Sequence, residues 1–304
     1  MKIDLEGLTR FCQQHSISCR TGTPMREYTT FRVGGNAAFS ALPSSAEELT
    51  VLVRELRRIK ADPVWFIGRG SNLLVSDNGL DGVVVFTWGL SEIKREDQLL
   101  IADAGVGMNA LCRMAQSEEL TGLEFAYGIP GTVGGGVFMN AGAYGGEIRD
   151  VIEWAEYLDE SGEVCRLSKE KLELSYRRSI FSSYPQWCIL RAAFRLENGN
   201  KQQIGDKMTE LMVRRREKQP LELASAGSTF KRPEGAFAGS LIEQCGLKGT
   251  RVGNAQVSEK HAGFIVNLGG ATCAEINELI EKVQKTVQQQ TGYWLEPEVR
   301  RLGD

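Results

Sequence analysis

The chain has 304 residues, 42% hydrophobic and 25% charged, with a formal net charge of −3, the profile of a globular protein long enough for two or three units with real cores. The charge gives no support for a nucleic-acid binder, which usually shows a basic domain, and no apolar run approaches the roughly 18 residues that span a bilayer. The N-terminus MKIDLEGLTRF carries acids where a signal peptide has its apolar stretch. The seven cysteines are odd in number and form no CxxC pair, a pattern expected of core thiols in a reducing cytoplasm. With only His15 and His261 available, a histidine-based metal centre is not expected.

In chain order, Ser44-Ser45-Ala46-Glu47 has the form of a capping box opening an amphipathic helix to about Lys60, with Leu49, Leu52, Val53, Leu56 and Ile59 at the helical period. A strand over 63–67 then runs into a glycine loop, GRGSNLL, where Gly68 and Gly70 allow a tight turn and Ser71 and Asn72 offer donors to phosphate oxygens. Further strands are predicted over 82–87 and 99–102. Gly105-Val106-Gly107-Met108-Asn109-Ala110 follows the second of these and matches the GxGxxA form of a dinucleotide fingerprint, with Glu124 where a ribose-binding acid would stand. No clear second parallel strand precedes Glu124, so this motif is read as a helix, near 109–119, packed against its strand.

The segment from Gly122 to Ile148 is the most informative part of the chain. It is glycine-rich, nearly uncharged between Gly128 and Gly146, and yet carries Ile129, Pro130, Val133, Val137, Phe138 and Met139, which no flexible linker would. A rigid loop whose backbone approaches a large phosphorylated ligand is the expectation. Two glycine loops in one chain suit a dinucleotide, which has two phosphates and two halves.

Strands over 151–158, 188–196 and 263–268 and a helix near 205–218 follow, and a composition change at residues 197–200 marks a boundary before a C-terminal domain. A weaker break falls near 77–82. The run Arg214-Arg215-Arg216 is read as a solvated helix face or, alternatively, a face toward an anionic ligand. Thr272-Cys273-Ala274-Glu275 opens a last helix with Ile276, Leu279, Ile280, Val283 and Val287 on one stripe, ending near Gly292. The mixture lacks regular βα alternation, which predicts an α+β fold.

Three polar constellations could carry chemistry. SYRRSIF at 175–181 holds arginines suited to grip a carboxylate or phosphate, or simply solvated at a domain boundary. AGSTFKRP at 226–233 could be a phosphate loop, an ordinary turn or a proton donor; serine serves as an acid only where a strong base develops beside it. GxSxG is absent, which disfavours a serine hydrolase. LEPEVR at 295–300 carries carboxylates that would ordinarily be solvated so near a chain end. QVSEKHAGFIVN at 256–267 enters a strand, and its His261 has the setting of a hydrogen-bonded structural histidine.

Taken in order, TTFRVGGNA, GRGSNLLVSD, GIPGTVGGGVFMNAGAYGGEI, SYRRSIF, AGSTFKRP, QVSEKHAGFIVN and EPEVR resemble the bacterial UDP-N-acetylenolpyruvoylglucosamine reductases, and the resemblance runs from Thr29 to Arg300. It implies an α+β chain with a two-subdomain FAD-binding fold of the vanillyl-alcohol-oxidase (PCMH) type at 1–82 and 83–197, followed by an α+β substrate-binding domain at 198–304. It implies non-covalent FAD held by Gly68, Arg69, Gly70, Ser71 and Asn72, by Gly128, Ile129, Pro130, Gly131, Thr132, Gly134 and Gly135, and by Asn140, Ala141 and Gly142. The activity implied is NADPH-dependent reduction of the enolpyruvyl UDP-sugar to UDP-N-acetylmuramate for peptidoglycan, in the cytoplasm, by a monomer without nucleic-acid or membrane partners.

In the mechanism this implies, NADPH reduces FAD and leaves, and hydride passes from flavin N5 to the vinyl CH₂. Arg177 and Glu298 match the residues that polarise the substrate carboxylate, Glu298 protonated or hydrogen-bonded in that role, and Ser228 matches the proton donor. Tyr176, Lys218, Lys231 and Gln256 are candidate contacts to the UDP-sugar. The short span between Arg177 and Ser228 resembles the shorter of two family types, without a lid tyrosine, and Arg232 departs from the asparagine of the longer type. Two other readings are an alcohol oxidase with a similar FAD domain, which would need no proton donor opposite N5, and a non-catalytic nucleotide-binding protein, which would require the match at Arg177, Ser228 and Glu298 to be accidental.

Overall fold

The computed structural model describes residues 3–303, and its backbone divides into two compact units. One comprises Met1–Thr21, Phe39–Arg69 and Gly82–Arg214; the other comprises Gly22–Ala38, Gly70–Asp81 and Arg215–Asp304.

The first unit is built on a five-stranded antiparallel sheet, ordered Val164–Ser168, Ile152–Leu158, Cys188–Arg195, Leu99–Asp103, Ile93–Glu96. The central strand CILRAAFR is buried along most of its length, and the edge strand IKRE is largely exposed. Leu100, Ala102, Ala192 and Phe194 form a core with Leu111 and Cys112 of the helix Met108–Ser117. A second core gathers Leu8, Cys12, Phe39, Leu49, Leu52, Val53, Val83 and Val85. The helix Ala46–Arg58 supplies its apolar stripe to this core, while Val64–Ile67 pairs in parallel with Leu80–Phe86.

The first capping box stands one residue later than its pattern suggested. Ser45 is the N-cap and accepts from the Glu48 backbone N–H, and the Glu48 carboxylate reaches back to the backbone N–H and hydroxyl of Ser44. The sequence SSAEE fits two registers, and the one that satisfies more donors is adopted.

In the second unit the helix Cys273–Thr291 opens on the predicted Thr272–Glu275 capping box and ends at Gly292 with φ +79°. It buries Ile276, Leu279, Ile280, Val283 and Val287 in a core with Ile242, Ala255, Val257, Ile265 and Leu295. The Asp77 carboxylate adds a second cap, accepting from the backbone N–H groups of Cys273 and Ala274 at 2.8 and 3.0 Å. A three-stranded antiparallel sheet, Arg251–Val252, Ala255–Val257, Ile265–Asn267, lies in the same unit, as does the parallel pair of Arg300–Leu302 with Leu73–Val75. Helices and strands mix without βα alternation, as an α+β fold requires. Among the described residues no helix is long and apolar enough to cross a membrane.

Candidate active site

Two glycine loops of the first unit are knitted together by backbone bonds. Val133 N donates to Val106 O and Gly134 N to Ala104 O, both at 2.8 Å, and Met108 N donates to Gly131 O at 3.1 Å. Gly128 N donates to the Asn109 side chain at 2.7 Å. The fingerprint-like 105–110 segment is thus a buttress for the long glycine loop. Its supposed ribose acid, Glu124, is engaged by the Thr121 hydroxyl and the Gly122 N–H, which removes it from any nucleotide role.

Against this pair of loops stands Gly68. A Cβ there would lie 2.4 Å from Thr132 Oγ1, so only glycine lets the loops pack this closely. Thr132 is 1% exposed, and its hydroxyl is buried with no hydrogen-bond partner. Buried polar atoms are nearly always satisfied in folded proteins, and an orphan hydroxyl where glycine loops meet is a spare donor. Such a donor among glycine loops fits a phosphate-bearing cofactor. Arg69 follows Gly68 and is exposed, a cation at the same loop.

Further along the glycine segment, Asn140 is 0% exposed with φ +42°. Its Nδ2 donates to Glu147 Oε2 at 2.7 Å and to the Ser175 carbonyl at 3.0 Å, while its Oδ1 accepts from Arg149 N at 2.9 Å. Those bonds engage its amide within the protein, and its backbone N–H donates to Val137 O at 3.2 Å. Ser175 and Arg178 exchange backbone bonds of 3.0 and 3.1 Å, forming a tight turn with Tyr176 and Arg177 at its tip. Arg177 has φ +56° and extends Nη2 to within 3.5 Å of the Gly142 carbonyl. Tyr176 is 50% exposed, with the Arg177 guanidinium 5.4 Å from its ring centroid.

In the second unit, Gly70 (φ +61°) passes so close to Tyr28 that a Cβ would lie 2.3 Å from its carbonyl oxygen, and no other residue fits. Asn72, two residues on, donates from Nδ2 to the Glu298 carbonyl at 3.1 Å, and its own carbonyl accepts from Arg300 N at 3.0 Å. The loop at 70–72 therefore holds the extended segment that carries Glu298. That segment is also clasped by the serine segment: Glu298 N donates to Thr229 O and Lys231 N to Glu296 O, both at 2.8 Å, around an antiparallel bridge of Phe230 with Pro297. Thr229 is fixed on its other side, where its N–H donates to Gly263 O and its hydroxyl accepts from Ile265 N. Ser228 and Glu298, distant in sequence, are thereby joined through one residue. The Ser228 hydroxyl donates only a long 3.4 Å bond to Phe230 O, so its proton is weakly held by the protein.

Gly263 also touches His261, whose Nδ1 accepts from Gly263 N at 3.1 Å. Burial lowers the His261 pKa below the ordinary 6.5, which keeps the ring neutral and accepting. A depressed folded-state value means that the unfolded chain takes up the proton first as the pH falls. Stability is therefore complete above 6.5 and is lost between that value and the lower folded-state one. Thermal midpoints measured from about pH 8 to about pH 5 should fall more steeply for the parent than for His261→Gln; parallel curves would contradict it.

The remaining predicted contacts are more dispersed. Lys218 is exposed at the end of the helix Lys201–Lys218. Lys231 pairs with Glu296 at 3.1 Å in an exposed ion pair, of the kind that contributes little. Gln256 is buried, donating to Gly249 O at 3.3 Å. Of the arginine run, Arg214 and Arg216 are exposed, whereas Arg215 is 7% exposed and bonds Gln219, so the run is not a uniformly solvated face. Burial pushes the Cys112 thiol up to about 12, which leaves it inert as a nucleophile. No group of histidine, cysteine and acidic side chains that could hold a metal occurs among the described residues. Asn109 and Glu147 make contacts that sequence patterns do not announce, since each depends on what its side chain faces.

Comparison with known proteins adds to this geometry. Residues 219–302 match the family model for the C-terminal domain of UDP-N-acetylenolpyruvoylglucosamine reductase, and residues 37–168 match that of an FAD binding domain. The chain is 48% identical to the UDP-N-acetylenolpyruvoylglucosamine reductase of Caldanaerobacter subterraneus subsp. tengcongensis over 281 residues, 92% of each chain. It is also 48% identical to that of Clostridium novyi over 280 residues, 92% of this chain and 91% of the other. Its fold superposes on the crystal structure of UDP-N-acetylenolpyruvylglucosamine reductase from Thermus caldophilus with a TM-score of 0.79 and 34% identity, covering 94% of this chain and 99% of that one. The chain belongs to the UDP-N-acetylenolpyruvoylglucosamine reductase family.

Proposed function

We propose that this protein reduces the enolpyruvyl double bond of UDP-N-acetylenolpyruvoylglucosamine to give UDP-N-acetylmuramate, with NADPH as the electron source, in the cytoplasmic synthesis of peptidoglycan precursors. The observation that carries this reading is the clasp that brings Ser228 beside Glu298 through Thr229, in a chain of the family's length. A flavin, when bound, supplies the two-electron relay between the nicotinamide and the substrate's double bond. The residues of 68–72 and 128–135, with the backbone of 140–142, would hold it, and the unpaired Thr132 hydroxyl packed against Gly68 supports that assignment.

The chain's own chemistry lies on the substrate side. Arg177 would grip the carboxylate next to the double bond and stabilise the charge that develops there, and Glu298 would join it as a neutral, protonated hydrogen-bond donor. Ser228 would give its Oγ proton to the carbon bearing that carboxylate, a transfer made feasible by the strong base formed in the transition state. Two electrons and one proton from NADPH, with one proton from Ser228 replaced from solvent, balance the saturation of the C=C bond. Tyr176, Lys218, Lys231 and Gln256 would contact the UDP-sugar. On this reading 1–82 and 83–197 serve the flavin, 198–304 serves the substrate, and the protein acts as a monomer.

The decisive measurement is the visible spectrum of the purified protein, followed anaerobically. NADPH should bleach the flavin bands, and the enolpyruvyl UDP-sugar should restore them. Rapid reoxidation by oxygen with no response to that substrate would sink the reading, as would protein that stays colourless after reconstitution with FAD.

A further inference from the structure

We propose that Asn140 is a positioning residue for Arg177, acting through the carbonyl of Ser175; the inference rests on the reading of Arg177 as the group that grips the substrate carboxylate. Arg177 stands in a turn that has only Tyr176 beside it between the cross-bonded Ser175 and Arg178. Its aim therefore depends on how the turn is tethered. One tether is the 3.0 Å bond from Asn140 Nδ2 to Ser175 O. Another is the Ser179 hydroxyl, which donates to Phe138 O at 2.7 Å. Both tethers tie the turn to the glycine-rich segment, and the Arg177 guanidinium itself meets the carbonyl of Gly142 in that segment.

Asn140 is suited to this task by what holds it in turn. Its amide is fixed by Glu147 Oε2 and Arg149 N, and Glu147 is paired with Gly142 in a short antiparallel hairpin. The hairpin thus sets the amide that holds the turn and supplies the carbonyl that meets the guanidinium. A buried and fully bonded polar side chain of this kind fixes one geometry. It does so at a left-handed backbone position, φ +42°, that asparagine tolerates better than most residues. Without the amide, the Ser175 carbonyl is released on one side and the guanidinium loses its fixed direction.

The test uses Asn140→Gly in the FAD-reconstituted holoenzyme, because glycine accepts the positive φ while removing the side chain that carries the amide. Reoxidation by the enolpyruvyl UDP-sugar should slow roughly 10- to 30-fold more than reduction by NADPH does, as a sub-ångström to ångström misplacement of the guanidinium would cause. Calorimetric affinity of the oxidised holoenzyme for UDP-N-acetylmuramate should weaken by about the same factor. In an Arg177→Lys background, Asn140→Gly should add less than about 2-fold, since two residues acting through one group are not additive. Equal slowing of both half-reactions, loss of FAD, or full additivity with Arg177→Lys would overturn the proposal. Should Asn140→Gly fail to fold, Glu147→Gln keeps an acceptor for Nδ2 without its charge; it should give the same pattern at about 3-fold, and an unchanged second half-reaction would overturn the proposal. If Arg177→Lys alone leaves the second half-reaction untouched, the reading of Arg177 fails, and the inference with it.

Discussion

Replacing Ser228 with alanine is expected to leave reduction by NADPH within about 2-fold of the parent while slowing reoxidation by the enolpyruvyl substrate on the order of 10²–10⁴-fold, the range that a positioned general acid contributes. The structure separates this chemical loss from a structural one. Thr229, not Ser228, carries the bonds that clasp Glu298, Gly263 and Ile265, and all of them survive the substitution. The single bond that is lost, Ser228 Oγ to Phe230 O, is 3.4 Å long, at the limit of what counts as a hydrogen bond. The thermal midpoint of the holoenzyme should therefore scarcely move. Anaerobic stopped-flow measurement of the two half-reactions, with the midpoint as control, distinguishes the cases. Equal slowing of both halves would take the proton-donor role away from Ser228.

The proximity of Ser228 and Glu298 illustrates where a sequence stops speaking. Neither the spacing of AGSTFKRP and LEPEVR nor their composition brings them together; the clasp depends on backbone pairing of segments far apart in the chain. Their order along the chain, through the resemblance, was what pointed to both. Local structure was far more legible. The helix Cys273–Thr291 declares its start by a capping box, its face by an apolar stripe and its end by glycine. The helix Ala46–Arg58 was equally plain, but two serines offered two caps, and only donor satisfaction chose between them. The edge strands Ile93–Glu96 and Val164–Ser168 had no such signal. Their sequences, IKRE and VCRLS, expose most residues and are made strands by the neighbours they pair with. At the site, glycine patterns located the loops but could not say which way Asn140 points. The family resemblance implies it as a flavin contact, and its amide is bonded to Glu147, Ser175 and Arg149.

Thr132→Val should move the stability of the apoprotein and its affinity for FAD in opposite directions. The hydroxyl of Thr132 is buried and unpaired, and an unsatisfied buried donor costs about 1–3 kcal/mol. Valine has the same shape, and the extended backbone at this position, φ −118° and ψ 165°, suits a β-branched side chain. The hydroxyl makes no cap bond to the helix that follows, so nothing in the apoprotein is lost. The apoprotein should therefore gain stability, on the order of 1 kcal/mol. If the hydroxyl is held in reserve for a phosphate oxygen of FAD, the variant forfeits a hydrogen bond to a charged group, about 1.5–3 kcal/mol. That is roughly a 10- to 100-fold loss of affinity, and the stabilisation of the protein by added FAD should shrink in step. Gly68→Ala tests the same place from the other side, because its methyl group would stand 2.4 Å from Thr132 Oγ1 and force the hydroxyl to shift. Gly107→Ala is the control: its methyl group would meet nothing within 4 Å, and FAD affinity should stay within about 2-fold. A stabilised Thr132→Val apoprotein with unchanged FAD affinity would show that the hydroxyl serves no cofactor. A destabilised one would show that the hydroxyl already has a partner within the protein.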